Sequence, residues 1–150
     1  MAYYGFMNLG TFKWANKISK EKQLNALMDR IEKDSKSFNK LRDVYIYTNQ
    51  IDKLYDLINN KGTKNDFIYN IEYLKDKYSI ELFNQFKNSF YEMIHENKKR
   101  EVYREATKYL VAISKLKNGK EMIKQIMNEL NNSEYKKRTA LFDEIKNALR

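Results

Sequence analysis

Residues 79–116 read SIELFNQFKNSFYEMIHENKKREVYREATKYLVAISKL. Within this stretch Phe83, Phe86, Phe90, Met93 and Ile94 recur at steps of three and four, and so do Val102, Tyr103, Ala106, Tyr109, Leu110 and Ile113. That spacing puts each set on one face of an α-helix and is incompatible with the alternation of a half-buried strand. The stretch contains no glycine, and the whole chain contains no proline, so nothing in it interrupts a helix. Two helices are predicted, over 79–96 and 98–116. A joint of a few residues makes them antiparallel neighbours.

The same rhythm extends in both directions. Toward the N-terminus it predicts helices over 19–33 (Leu24, Leu27, Met28, Ile31), 37–47 (Phe38, Leu41, Val44, Tyr45), 50–60 (Ile51, Leu54, Tyr55, Ile58) and 64–76 (Phe67, Ile68, Ile71, Leu74). Toward the C-terminus it predicts 119–131 (Met122, Ile123, Ile126, Leu130) and 138–149 (Leu141, Phe142, Ile145, Leu149). Ser19 and Ser37 serve as N-caps in this reading, and Gly62 as a stop. The fold class is therefore all-α, with about eight antiparallel helices. Pairs that open near 37, 64 and 98 approach the period of tetratricopeptide repeats, without that family's usual Trp, Gly and Pro pattern. The favoured architecture is a right-handed array of stacked helical hairpins of tetratricopeptide or HEAT type, with a closed helical bundle as the alternative.

A length of 150 residues fits one domain, 1–150, able to bury roughly 70% of the unfolded chain's surface. The chain has 23 Lys, 6 Arg, 17 Asn and 13 Ile, a balance that reads as an AT-rich coding bias. The absence of Cys excludes disulfides, thiol chemistry and the common zinc sites, and fits a reducing compartment. No run approaches the length of a transmembrane helix, and the N-terminus lacks the pattern of a secretory signal, so a cytoplasmic protein with no membrane partner is expected. The first 17 residues differ from the rest. Tyr3, Tyr4, Phe6, Phe12 and Trp14 crowd this segment, either as a cap on the first hairpins or as an anchor for another chain.

Familiar catalytic patterns are missing. His95 is the single histidine, and Glu92 with His95 gives one E-x-x-H pair where a di-iron carboxylate bundle needs two. The four glycines are scattered, so neither a P-loop nor a dinucleotide fingerprint exists, and no Ser occupies a nucleophile elbow. No cofactor, no metal and no catalytic residue is assigned.

The positive charge is concentrated. Residues 98–138 carry 12 Lys or Arg against 5 Asp or Glu, an excess of seven out of a formal +9, whereas residues 18–97 balance to zero. On a helical projection Arg100, Arg104, Lys108 and Lys115 fall within roughly 80° of one another. Lys120 and Lys124 repeat the i, i+4 spacing on the next helix, and Lys136, Lys137 and Arg138 open the last. These nine residues are the candidate surface for a polyanion or other partner, set against the plainer reading of a solvated face. Cations at a helix start oppose its dipole by a few tenths of a kcal/mol. Either a function or a later helix start accounts for Lys98 to Arg100 and Lys136 to Arg138.

The runs Tyr103-Arg104-Glu105-Ala106-Thr107-Lys108-Tyr109-Leu110, Ile113-Ser114-Lys115-Leu116 and Tyr135-Lys136-Lys137-Arg138-Thr139-Ala140-Leu141-Phe142-Asp143-Glu144-Ile145 make a further point. Their order is similar to the C-terminal helical region of bacterial SWIM-type zinc-finger proteins. A proline usually precedes the Ala-Leu pair in that family, where this chain has Thr139. The family's zinc motif needs Cys ligands, so neither the metal nor DNA binding carries over. The resemblance implies a helical tail whose partner is the remainder of a longer protein.

The expected function is a non-catalytic scaffold that binds another protein. Nucleic-acid or polyanion binding through the basic C-terminal segment is the alternative, and an enzyme working with carboxylates comes third.

Overall fold

The computed structural model describes residues 17–33 and 38–150. These residues form nine α-helices and one 3₁₀ turn, with no strand among them, so the chain is all-α. The helices are α1 (Lys17–Lys33), α2 (Phe38–Tyr47), α3 (Ile51–Lys61), α4 (Lys64–Tyr69), α5 (Ile71–Leu74), α6 (Ser79–Glu96), α7 (Arg100–Ser114), α8 (Gly119–Asn131) and α9 (Thr139–Ala148). The 3₁₀ turn, Glu134–Lys137, lies between α8 and α9. Tyr3, Tyr4, Phe6, Phe12, Trp14 and Ser37 lie outside the described residues. Ser19, expected to cap a helix, falls inside α1.

The described residues divide into two compact units, the first ending at Leu57 and the second running from Ile58 to Arg150. The boundary falls within α3. In the first unit α1 packs against α2. The turn after α2 is closed by the Gln50 amide, which donates to the Tyr45 carbonyl at 2.8 Å, and Asn49 takes the left-handed conformation at φ 57°. Asparagine tolerates that region better than most residues.

The second unit opens with a helix stop and a helix start in direct succession. The Gly62 amide donates to the Ile58 carbonyl at 2.8 Å and ends α3, as the sequence implied. Thr63 and Asp66 then cap α4 reciprocally: the Asp66 amide donates to Thr63 Oγ1 at 3.4 Å and the Thr63 amide to Asp66 Oδ2 at 2.7 Å. This capping box satisfies two otherwise orphaned donors. The helix expected over 64–76 is interrupted at Asn70, whose buried side chain donates to the Asp66 carbonyl at 2.8 Å. Competition of that kind between an Asn side chain and the backbone is why Asn is a poor interior helix residue.

α7 is the centre of the second unit, packed against α6, α8 and α9. Phe86, Phe90 and Ile94 of α6, and Ala106, Leu110 and Ile113 of α7, are fully excluded from solvent. Ile126 and Leu130 of α8 and Leu141 of α9 are excluded as well. Phe86 and Tyr109 meet with ring centroids 6.0 Å apart. Each of the buried Phe, Leu and Ile side chains stabilises the unit by about 1.5–3 kcal/mol through the area it removes from water.

The turn from α7 to α8 is tight. Asn118 adopts φ 63°, and the next residue, Gly119, is buried so closely that a Cβ there would lie 2.5 Å from the Ile113 carbonyl oxygen. Only glycine fits the position without displacing backbone. α8 then starts with its first turn against the end of α7.

Candidate interaction surfaces

Three groups of polar side chains organise the surface of the second unit. The first lies where α9 crosses α7. Glu144 of α9 is buried, and Arg100 Nη1 donates to its Oε2 at 2.9 Å while Arg104 Nε donates to Oε1 at 3.2 Å. Asp143 stands 3.6 Å from Arg100. The hydrogen bonds from Arg100 and then from Arg104 hold the Glu144 carboxyl below the ordinary carboxylate value, against the opposing effect of burial. Both arginines of the expected basic stripe therefore turn toward an internal acid. Lys108, next along the stripe, sits 3.5 Å from Glu105 and 5.4 Å from the centre of the Tyr109 ring.

The second group joins α6 to α8 and to the 3₁₀ turn. Lys87, Tyr91 and His95 follow one another at i, i+4 and i+8, which places them along one face of α6. Lys87 Nζ and the Tyr91 hydroxyl donate to the two Glu129 oxygens at 2.8 and 3.0 Å, and Gln125 adds a third hydrogen bond at 3.3 Å. Burial pushes the Glu129 carboxyl up, but hydrogen bonds from Lys87, Gln125 and Tyr91 outweigh it and leave the group below its ordinary value. Burial raises the Tyr91 phenol, and the neighbouring Glu129 raises it further.

One turn beyond, His95 Nδ1 lies 3.2 Å from the Tyr135 hydroxyl, and the Tyr91 and Tyr135 rings sit 6.1 Å apart. Arg138 Nη1 donates to the Ile94 carbonyl, and its guanidinium stacks 4.6 Å from the Tyr135 ring centre. It thereby satisfies a carbonyl near the C-terminus of α6 and places a cation where the helix dipole favours one. A shallow groove of about 390 Å³ runs beside these residues, lined by Asn88, Tyr91, Glu92, His95 and Tyr135. Among the described residues no group of three or more potential ligands is placed to hold a metal ion.

The third group lies at the end of the unit where α6 and α8 begin. The Lys117 amide donates to the Lys75 carbonyl at 3.1 Å, and Ser79 Oγ donates to the Lys117 carbonyl at 2.6 Å. The turn before α6 is thus tied to the turn before α8. The turn that carries Lys75 and Lys77 is thereby joined to the one that carries Lys115 and Lys117, with Lys120 following in the first turn of α8. Lys75 Nζ contacts Glu72 at 2.9 Å, while Lys115, Lys117 and Lys120 are exposed and make no ion pair among the described residues. Tyr73 and Ile80, 48% and 67% exposed, flank the first of these turns, and Tyr69, 83% exposed, lies four residues before Tyr73.

Of the nine basic residues singled out in the sequence, Arg100, Arg104 and Arg138 make contacts within the protein, while the Arg100 and Arg104 side chains stay 48% and 65% exposed. Lys120 and Lys124 lie at the start of α8, while Lys136 and Lys137 lie in the 3₁₀ turn beyond its other end, and the helix between is roughly 18 Å long. Lys98 and Lys99 precede α7, and Lys136, Lys137 and Arg138 precede α9, so of these cations Arg100 alone stands in a first helical turn, where it bonds Glu144. Lys75 and Lys77 were missed because charge averages to zero over their part of the sequence.

No protein-family model, no curated protein and no solved structure matches the chain. Among the described residues no helix is long and apolar enough to cross a membrane.

Proposed function

We propose that the chain is a non-catalytic helical interaction module whose partner is another protein. The observation that carries this reading is the exposure of Tyr69, Tyr73 and Ile80 on a unit that buries or half-buries its other large apolar side chains. Tyrosine combines a broad apolar ring with a hydroxyl that tolerates water, so it serves well on a surface that alternates between free and bound. It is among the residues that concentrate binding energy at protein interfaces.

Polyanion binding is the second reading, favoured by the exposed Lys115, Lys120, Lys124, Lys136 and Lys137. Against it stands the use of Arg100, Arg104 and Arg138 inside the fold. Arginine is the side chain best shaped to grip phosphate in two places at once, and each of these three guanidinium groups already spends at least one N–H on a partner within the protein.

Affinity purification of the full chain from cells that express it, with and without nuclease, separates the two readings. A protein that survives nuclease and then binds the purified chain in a calorimetric titration supports the first. Loss of every captured protein on nuclease treatment replaces it with the second.

A further inference from the structure

We infer that the end of the second unit formed by the turns at 75–79 and 115–119 docks an acidic, amphipathic segment of the partner protein. The inference rests on the protein-partner reading above and names the chemistry of the partner. Two hydrogen bonds, from the Lys117 amide to Lys75 and from Ser79 to Lys117, bring together lysines that are 40 residues apart in the chain. The two turns hold four lysines, Lys75, Lys77, Lys115 and Lys117, and Lys120 follows in the first turn of α8; Glu72, Asp76 and Glu121 are the neighbouring acids, and Glu72 is already held by Lys75. α6 and α8 both begin here, and the positive ends of their dipoles add to the field.

Local stability explains only part of this arrangement. Lys115 and Lys117 follow the last turn of α7, where cations are favoured, but Lys120 sits in the first turn of α8, where the dipole disfavours it. Charge alone would suit any polyanion. Tyr73 and Ile80, both exposed, distinguish the candidates, because a phosphate backbone makes no use of an isoleucine. A chain that carries carboxylates interleaved with apolar side chains matches both halves of the surface: carboxylates meet Lys115, Lys117 and Lys120, and apolar groups cover Tyr73 and Ile80. The cations of this surface are all lysines, point charges that accept a carboxylate from any direction.

The test is fluorescence anisotropy on the full chain with a fluorescein-labelled peptide of alternating Glu and Leu. Saturable binding is expected, weaker for the peptide of alternating Glu and Ser. The triple variant Lys115→Glu, Lys117→Glu, Lys120→Glu should weaken binding at least about tenfold, and so should the double variant Tyr73→Ser, Ile80→Ser. Circular dichroism checks that each variant keeps its helix content. The control variant Lys64→Glu, Lys146→Glu changes the net charge at exposed positions outside every candidate surface and should leave affinity within about twofold.

Equal loss in the control variant would show a general charge effect and overturn the site. So would tighter binding to a poly-dT oligonucleotide, or to phosphatidylserine vesicles, abolished by the same lysine reversals. A captured partner that binds the triple variant as well as the unaltered chain would sink this inference while leaving the protein-partner reading intact. Capture that depends wholly on nucleic acid would remove both.

Discussion

Arg104 and Glu144 stand 40 residues apart in sequence, and Arg104 Nε donates to Glu144 Oε1 at 3.2 Å. Arg100 donates to the other oxygen of the same carboxylate, so two residues one turn apart on α7 fix one acid on α9. The outer ends of both arginines are exposed while the acid is buried, which makes Glu144 the member that depends on the others. A solvated arginine loses little when its partner goes. A buried carboxylate without its cations is left in surroundings that disfavour charge.

A double-mutant cycle tests that asymmetry. Arg100→Ala with Arg104→Ala should lower the midpoint of thermal unfolding more than Glu144→Leu, because leucine fills the same space and leaves no stranded charge. The combined triple variant should resemble Glu144→Leu alone. Additive losses across the cycle would show that the three side chains act independently.

Acid should destabilise the second unit through Glu129 and Glu144. Both carboxyls lie below the ordinary value of 4.5 in the folded chain, so the unfolded chain takes up protons first as pH falls. Their contribution is fully present above pH 4.5 and is lost as pH drops through the lowered folded values. Thermal midpoints measured across the acid range should decline for the unaltered chain and decline less steeply for Glu129→Gln. A parallel decline in both would remove Glu129 from the account.

At the alkaline end Tyr91 acts in the opposite sense. Its phenol is raised above the ordinary 10.0 by burial and by Glu129, so the folded chain keeps a proton that the unfolded chain releases. Stability should fall as pH rises above 10, and Tyr91→Phe should flatten that fall. Absorbance titration of the tyrosinates would show one group ionising late in the unaltered chain and absent from the variant.

Much of this fold was legible from spacing alone. α6 and α8 begin and end where the three-and-four rhythm of Phe83, Phe86 and Phe90 and of Met122, Ile126 and Leu130 placed them. Periodicity reports which face is buried and so finds helices that have one buried face. It does not report side-chain competition for the backbone, which is why Asn70 divides a helix that the apolar pattern runs straight through. The Thr63-x-x-Asp66 box was visible in principle, since the pattern of a capping hydroxyl followed three residues later by an acid precedes an apolar run. The destinations of Arg100, Arg104 and Arg138 were not visible. A projection of α7 shows that two of them share a face, but not that Glu144 will arrive opposite them, because that contact is set by how α9 returns to α7. The lysine-rich end was hidden for the same reason: Lys75 and Lys117 meet only through the pairing of two turns.

Gly119 offers the sharpest test of local geometry. A methyl group there would lie 2.5 Å from the Ile113 carbonyl oxygen and 2.6 Å from that of Ser114, and both obstacles are backbone. Gly119→Ala should therefore destabilise the chain by about 1–3 kcal/mol, the range for forcing atoms into a packed site. Alanine is the better helix former by about 1 kcal/mol, so propensity alone predicts the opposite sign. The neighbouring Asn118, at φ 63°, gives an internal comparison: Asn118→Gly should be tolerated, since glycine occupies the left-handed region freely, while Asn118→Val should be costly. Urea unfolding of the three variants distinguishes the effects, and a Gly119→Ala chain as stable as the original would mean that α7 and α8 separate at this turn more easily than their close approach implies.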